Sequence, residues 1–97
     1  MNFEQIDLQL HQAWINRRSD MRQSFHLAQQ LLKNCEELNH KRGIADCNKI
    51  LGYCYWRFTE FSLSMEHSLA ALHFYRETND LRGEADTLNS LGAVYMF

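Results

Sequence analysis

The sequence predicts an all-α protein, and three observations predict it. The 97 residues contain no proline and only four glycines. Proline is the strongest helix breaker, and four glycines supply too few positive-φ positions for a protein built on tight turns. Apolar residues recur at three- and four-residue spacing along almost the whole chain, which is the stripe of an amphipathic helix. The glycines fall in two pairs, Gly43 with Gly52 and Gly83 with Gly92, nine residues apart within a pair and forty between pairs. A 45% hydrophobic content argues against disorder, and the length fits a single small domain.

The forty-residue period extends beyond glycine. Glu37, Asn39, Arg42, Gly43, Ala45, Asp46, Leu51, Gly52 and Tyr55 recur as Glu77, Asn79, Arg82, Gly83, Ala85, Asp86, Leu91, Gly92 and Tyr95, nine identities in the 21 positions from 37 to 57. Such a period signals stacked repeats. A first helix over 3–17 carries Phe3, Ile6, Leu10, Ala13 and Trp14 on its stripe. Ser19-Asp20 caps a second, over 20–38, with Met21, Phe25, Ala28, Leu32 and Cys35. A third, over 42–57, carries Ile44, Cys47, Leu51, Cys54 and Tyr55, and a corner follows in which Thr59 caps a fourth helix. That helix, 60–78, places Phe61, Met65, Leu69, Leu72 and Tyr75 on one stripe. Asn79-Asp80 ends it and caps a fifth, 81–97, with Ala85, Leu88, Leu91 and Tyr95 on its apolar face.

The glycines carry a packing message. Gly52 and Gly92 sit inside helices, where each costs about 1 kcal/mol relative to alanine. Their common phase predicts that a neighbouring helix crosses close to the backbone there. Gly43 and Gly83 fall in first turns, beside the end of the preceding helix, where a side chain is expected to collide with it.

The segment from Leu81 to Tyr95 resembles the first helix of a tetratricopeptide repeat. The family's Leu-Gly followed by an aromatic three residues on is met by Leu51, Gly52 and Tyr55 and by Leu91, Gly92 and Tyr95. Ser64, Ser68 and Ala71 match part of the small-residue pattern of the second helix, and the period is that of a longer variety. In the first repeat Gln12 replaces the glycine and Ile15 the tyrosine. The resemblance implies a superhelix of antiparallel helix pairs, with a degenerate repeat over 3–38, a second over 42–78 and the first helix of a third over 81–97. On this reading the 97 residues are one domain of two and a half repeats, and a further helix is expected to follow in a longer parent protein. The resemblance also implies binding of a protein or peptide rather than catalysis, with the module controlling an attached output domain. In similar bacterial signalling proteins that domain is often a diguanylate cyclase.

Composition narrows the function classes. A net charge of −2 lacks the basic face of a nucleic-acid module. No run of 18 apolar residues offers a membrane span, and the start lacks the pattern of a signal peptide. Three cysteines, an odd number, argue against a disulfide framework and for a reducing cytoplasm. Cys47 and Cys54 lie about 10 Å apart along a helix axis, too far to share a metal, and Cys35 stands alone on its stripe. The five histidines show no metal spacing and read as surface or edge residues. There is no phosphate loop, nucleophile elbow or zinc-protease motif, so no cofactor and no catalytic residue is expected.

Two surfaces remain as candidate sites. In this architecture the first helices line a concave groove. The stripes turned toward it give Gln9 and Arg17 beside Ile6 and Ala13, then Asp46, Lys49, Tyr53, Trp56 and Arg57, then Asp86 and Asn89. Polar groups there suit the backbone of an extended peptide, and the aromatics suit a side-chain anchor. The same groove suits, alternatively, a small organic ligand near Tyr53 and Trp56, and a purely structural stacking module leaves it inert. Arg42 with Asp46, and Arg82 with Asp86, are spaced for ion pairs within a helix. The open end is the second surface. Leu88, Leu91, Val94, Tyr95, Met96 and Phe97 form an apolar patch expected to mediate a two-fold homodimer.

Overall fold

The computed structural model describes residues 1–95, with side chains through Leu91, and it is helical throughout. The helices are α1 (Phe3–Ile15), α2 (Met21–Leu38), α3 (Lys41–Arg57), α4 (Phe61–Glu77) and α5 (Leu81–Tyr95). Expectations resting on Gly92, Ala93, Val94, Tyr95, Met96 and Phe97 lie outside the described side chains. Consecutive helices fold back on one another. α1, α3 and α5 form one layer and α2 and α4 the other, with α3 touching all four of its neighbours. The smallest dimension, 20 Å, is that of two helix diameters. This is a repeat-like stack of helices.

Local chemistry sets most of the helix ends. Asn2 and Gln5 form a reciprocal capping box at the start of α1. Asp20 accepts the Gln23 N–H, and Asp80 accepts the Gly83 N–H at 3.0 Å. Three joins close on a left-handed residue: Asn39, Thr59 and Asn79, with φ of 54°, 63° and 56°. In each, the next residue donates back five positions: His40 to the Cys35 carbonyl, Glu60 to that of Tyr55, and Asp80 to that of Tyr75. Asparagine tolerates this conformation and a β-branched threonine does not, so Thr59 stores strain of about 1 kcal/mol. Thr59 is therefore not the cap of α4. It closes α3, its hydroxyl donates to the Phe58 carbonyl, and Glu60 occupies the cap position without a side-chain bond.

α3 is the axis of the core, burying Gly43, Ala45, Cys47, Ile50, Leu51, Gly52, Tyr53 and Cys54. Ile6, Leu10, Ala13, Ala28, Leu31 and Cys35 pack on one side of it, and Ala71 and Tyr75 meet Ala45 on the other. Ile6 and Ala13 thus belong to the core and not to the groove. The expected close approach at glycine is present. A Cβ on Gly52 would overlap the Ser68 hydroxyl and stand 3.2 Å from its backbone nitrogen, and one on Gly83 would stand 2.5 Å from the Tyr75 ring.

This approach rotates two stripes away from their expected phase. On α4 the buried face is Ser64, Ser68, Ala71, Leu72 and Tyr75, while Phe61 and Leu69 are 41% and 46% exposed. Bulky residues facing Gly52 would hold the helices apart, so the small ones face it, and Ser64 donates to the Gly52 carbonyl at 2.7 Å. On α5 the buried residues are Gly83, Thr87, Ser90 and Leu91, whereas Ala85 and Leu88 face outward. Thr87 survives in the core because its hydroxyl donates to the Gly83 carbonyl one turn back.

Candidate binding groove

Between α1, α3 and α5 runs a groove of about 630 Å³. Its floor carries Leu10, Trp14, Ile50 and Tyr75, and its walls carry four carboxylates and four cations. Each carboxylate has a partner inside the fold. Asp7 meets His40 at 2.7 Å, Asp46 accepts the Tyr75 hydroxyl, Asp80 holds Arg42 at 2.8 Å, and Asp86 accepts from Lys49 at 3.4 Å. Two cations differ. Among the described residues, neither Arg17 nor Arg82 has a carboxylate within ion-pair distance. Arg17 lies instead over the Trp14 ring at 3.8 Å, and Lys49 approaches the same ring at 4.3 Å. Burial holds the Arg17 guanidinium below its ordinary value, with Arg18 adding to the effect.

Burial also pushes the Asp46 carboxyl up, against the Tyr75 hydroxyl, Lys49 and Arg42, which pull it down. Tyr75 rises well above the ordinary phenol value, through burial first and the Asp46 charge second. Asp80 moves the other way, held down chiefly by the Gly83 N–H and then by Arg42. A depressed carboxyl stabilises the fold above its unfolded pKa, and that contribution is lost as the pH falls through the folded value. Asp80→Ala is therefore expected to cost about 1 kcal/mol near neutrality. Urea denaturation across a pH series should show the deficit fading below pH of about 4.

The expected groove residues divide among several places. Arg17, Asp46, Lys49 and Asp86 line the main groove. Tyr53, Trp56 and Asn89 line a recess of about 160 Å³ that shares Arg17 and Asp86 with it. Tyr53 is only 5% exposed; its ring meets Trp14 and Trp56 edge-on, so it supports the wall rather than presenting a face. Gln9 lies in a separate recess between α1 and α2. Arg57 stands at the α3–α4 corner with Trp56, Thr59 and Phe61. The forty-residue period aligns Gln9 with Lys49 and Asn89, but on α1 that position faces α2, beside Gln23, Ser24 and Leu27. Leu91, assigned to the open-end patch, is 3% exposed and belongs to the core, while Leu88 is 41% exposed.

Sequence reasoning missed Asp7, His11, Trp14, Arg42, Tyr75, Asp80 and Arg82 as groove residues. The signal for Arg42 and Arg82 was present in their identical phase, but it was spent on pairs within a helix. The arginine pairs observed do not run within a helix: Arg42 meets Asp80 and Arg76 meets Glu84, while the pair within a helix is His73 with Glu77 in α4. His40 is buried, contrary to expectation, stacked on Phe3 and bound to Asp7. Cys35 is not alone either, since its thiol meets that of Cys47. Burial raises all three thiols, Cys54 to about 12, which leaves them unreactive.

Comparison with protein-family models, curated proteins and solved structures finds no match to this chain. Among the described residues no group of histidine, cysteine and acidic side chains is placed to hold a metal, and no helix is long and apolar enough to cross a membrane. The groove offers donors, one indole approached by Arg17 and Lys49, and two arginines without a carboxylate partner among the described residues.

Proposed function

We propose that the chain is a tetratricopeptide-like interaction module that binds an extended segment of a protein along the groove and thereby controls an attached output domain. The observation that carries this reading is the uneven state of the groove's charges. All four carboxylates have internal partners while, among the described residues, Arg17 and Arg82 have no carboxylate within ion-pair distance, beside the half-buried Trp14. Guanidinium groups suit backbone carbonyls and carboxylates, and an indole suits an apolar anchor. The forty-residue repetition and the two-layer stacking support the tetratricopeptide reading, and an output domain of the diguanylate cyclase kind is part of the same proposal.

Selection from a displayed random-peptide library tests it. Selected peptides are expected to bind a Trp56→Phe chain with a shift in Trp14 emission. They should lose about ten-fold or more in affinity on Arg82→Ala and on Trp14→Ala, as an interface anchor does. Binding indifferent to both substitutions would place the interaction elsewhere.

A further inference from the structure

We infer that the chain associates with itself head to tail, the basic edge at the α1–α2 and α3–α4 joins taking the acidic corner at the end of α2 from a second copy. The argument does not rest on the groove reading. Because consecutive helices run antiparallel, these two joins share one edge of the stack, and the α2–α3 and α4–α5 joins share the opposite edge. The first edge holds Arg17, Arg18, Arg22 and Arg57 against only Asp20 and Glu60, so the chain's ten cations and twelve carboxylates divide four to two there and six to ten elsewhere. The ion pairs follow the same division. Among the described residues every pair lies elsewhere, and none engages any of the four arginines. Trp56 joins the arginines into one surface. It lines the recess that holds Arg17 and Arg18, and it also lines a hollow of about 470 Å³ with Arg57, Thr59 and Phe61. Phe58, 36% exposed, adds to the apolar area. An apolar hollow bordered by guanidinium groups suits a bulky apolar side chain flanked by carboxylates.

The chain carries that combination itself. Glu36 and Glu37 are exposed in the last turn of α2 and make no ion pair among the described residues, and Leu38, next in sequence, is 47% exposed. One repeat on, the equivalent carboxylate of Glu77 meets His73 and is followed by a threonine, so the combination belongs to α2 alone. Leu38 cannot reach the hollow of its own chain, because α3, with 17 residues and a length of about 25 Å, separates the two edges. The contact is therefore made between copies. It joins unlike surfaces and leaves one of each free at the ends, so the assembly grows past two. Leu38 enters the hollow between Trp56 and Phe61, and the carboxylates beside it pair with the arginines. Both surfaces are joins at the edges of the stack, away from the faces on which a further helix would pack.

Sedimentation velocity from micromolar to millimolar concentration reads the assembly, which is expected to grow beyond a dimer as the concentration rises. Arg57→Glu and Leu38→Asp each remove one of the two surfaces, at exposed positions whose change should leave the helical circular dichroism unaltered. Each is expected to weaken association about ten-fold or more. Mixed in equal amounts, the two variants present one intact surface each, and they are expected to form a one-to-one dimer and nothing larger. A chain that stays monomeric across the range overturns the proposal. So does an assembly that stops at two copies, growth that survives either substitution, or a mixture that stays monomeric. A monomeric chain that sediments with phosphatidylglycerol vesicles also overturns it, and assigns the arginines to a membrane surface.

Discussion

Gly52→Leu is expected to destabilise the fold by about 3 kcal/mol or more, a large part of the roughly 5–15 kcal/mol available to a domain of this size. Helix propensity alone predicts the opposite sign, since replacing an interior glycine gains about 1 kcal/mol. Packing reverses it. Ser68 Oγ stands where the new Cβ would go, and the Ser68 backbone nitrogen is 3.2 Å from that position. The Ser68 hydroxyl could turn aside, but the α4 backbone can move only by opening the α3–α4 interface. That motion would break the bond from Ser64 to the Gly52 carbonyl and expose the stripe beneath it. Urea denaturation monitored by far-ultraviolet circular dichroism measures the loss. Ser68→Gly introduced into the Gly52→Leu chain should return part of the stability, and additivity of the two changes would show that they do not meet.

Tyr75→Phe is expected to cost about 1–3 kcal/mol at neutral pH, although it keeps the ring and leaves no cavity. The Tyr75 ring is fully buried and its hydroxyl donates to Asp46, a carboxylate already pushed up by burial. Removing the donor raises that carboxyl further. A carboxyl whose folded pKa is raised favours the fold when protonated. The contribution is complete below the unfolded value of about 3.9 and is lost as the pH rises through the folded value. The deficit of Tyr75→Phe should therefore be largest near pH 7 and shrink as the pH is lowered toward about 4. A deficit that is constant across this range would mean that Asp46 does not depend on the phenol.

The helices were legible because their signals are local. Asn79-Asp80 and Ser19-Asp20 read correctly as ends and caps, since a carboxylate three residues before a free N–H has a short-range effect. Thr59 misled because threonine is a common cap. Here it stands one residue too early, in a left-handed position that the neighbouring joins give to asparagine. The groove was half legible. Arg17, Asp46, Lys49 and Asp86 were found from repeat phase, but Tyr75 and Asp80 enter the groove from α4 and its join, which a stripe drawn on the first helices alone cannot include.

The sequence by itself determined the helical class, the forty-residue period, the order of the five helices and the need for close approach at Gly43, Gly52 and Gly83. Each of these depends on residue type and spacing along one chain. Only the tertiary structure decided which flank of each helix is buried and which charges have partners. A glycine fixes where two backbones meet, and the rotation of the helix about that point then decides whether Leu88 or Thr87 faces inward and whether Arg42 finds Asp46 or Asp80. Those outcomes depend on distances between helices, and no spacing within a helix encodes them.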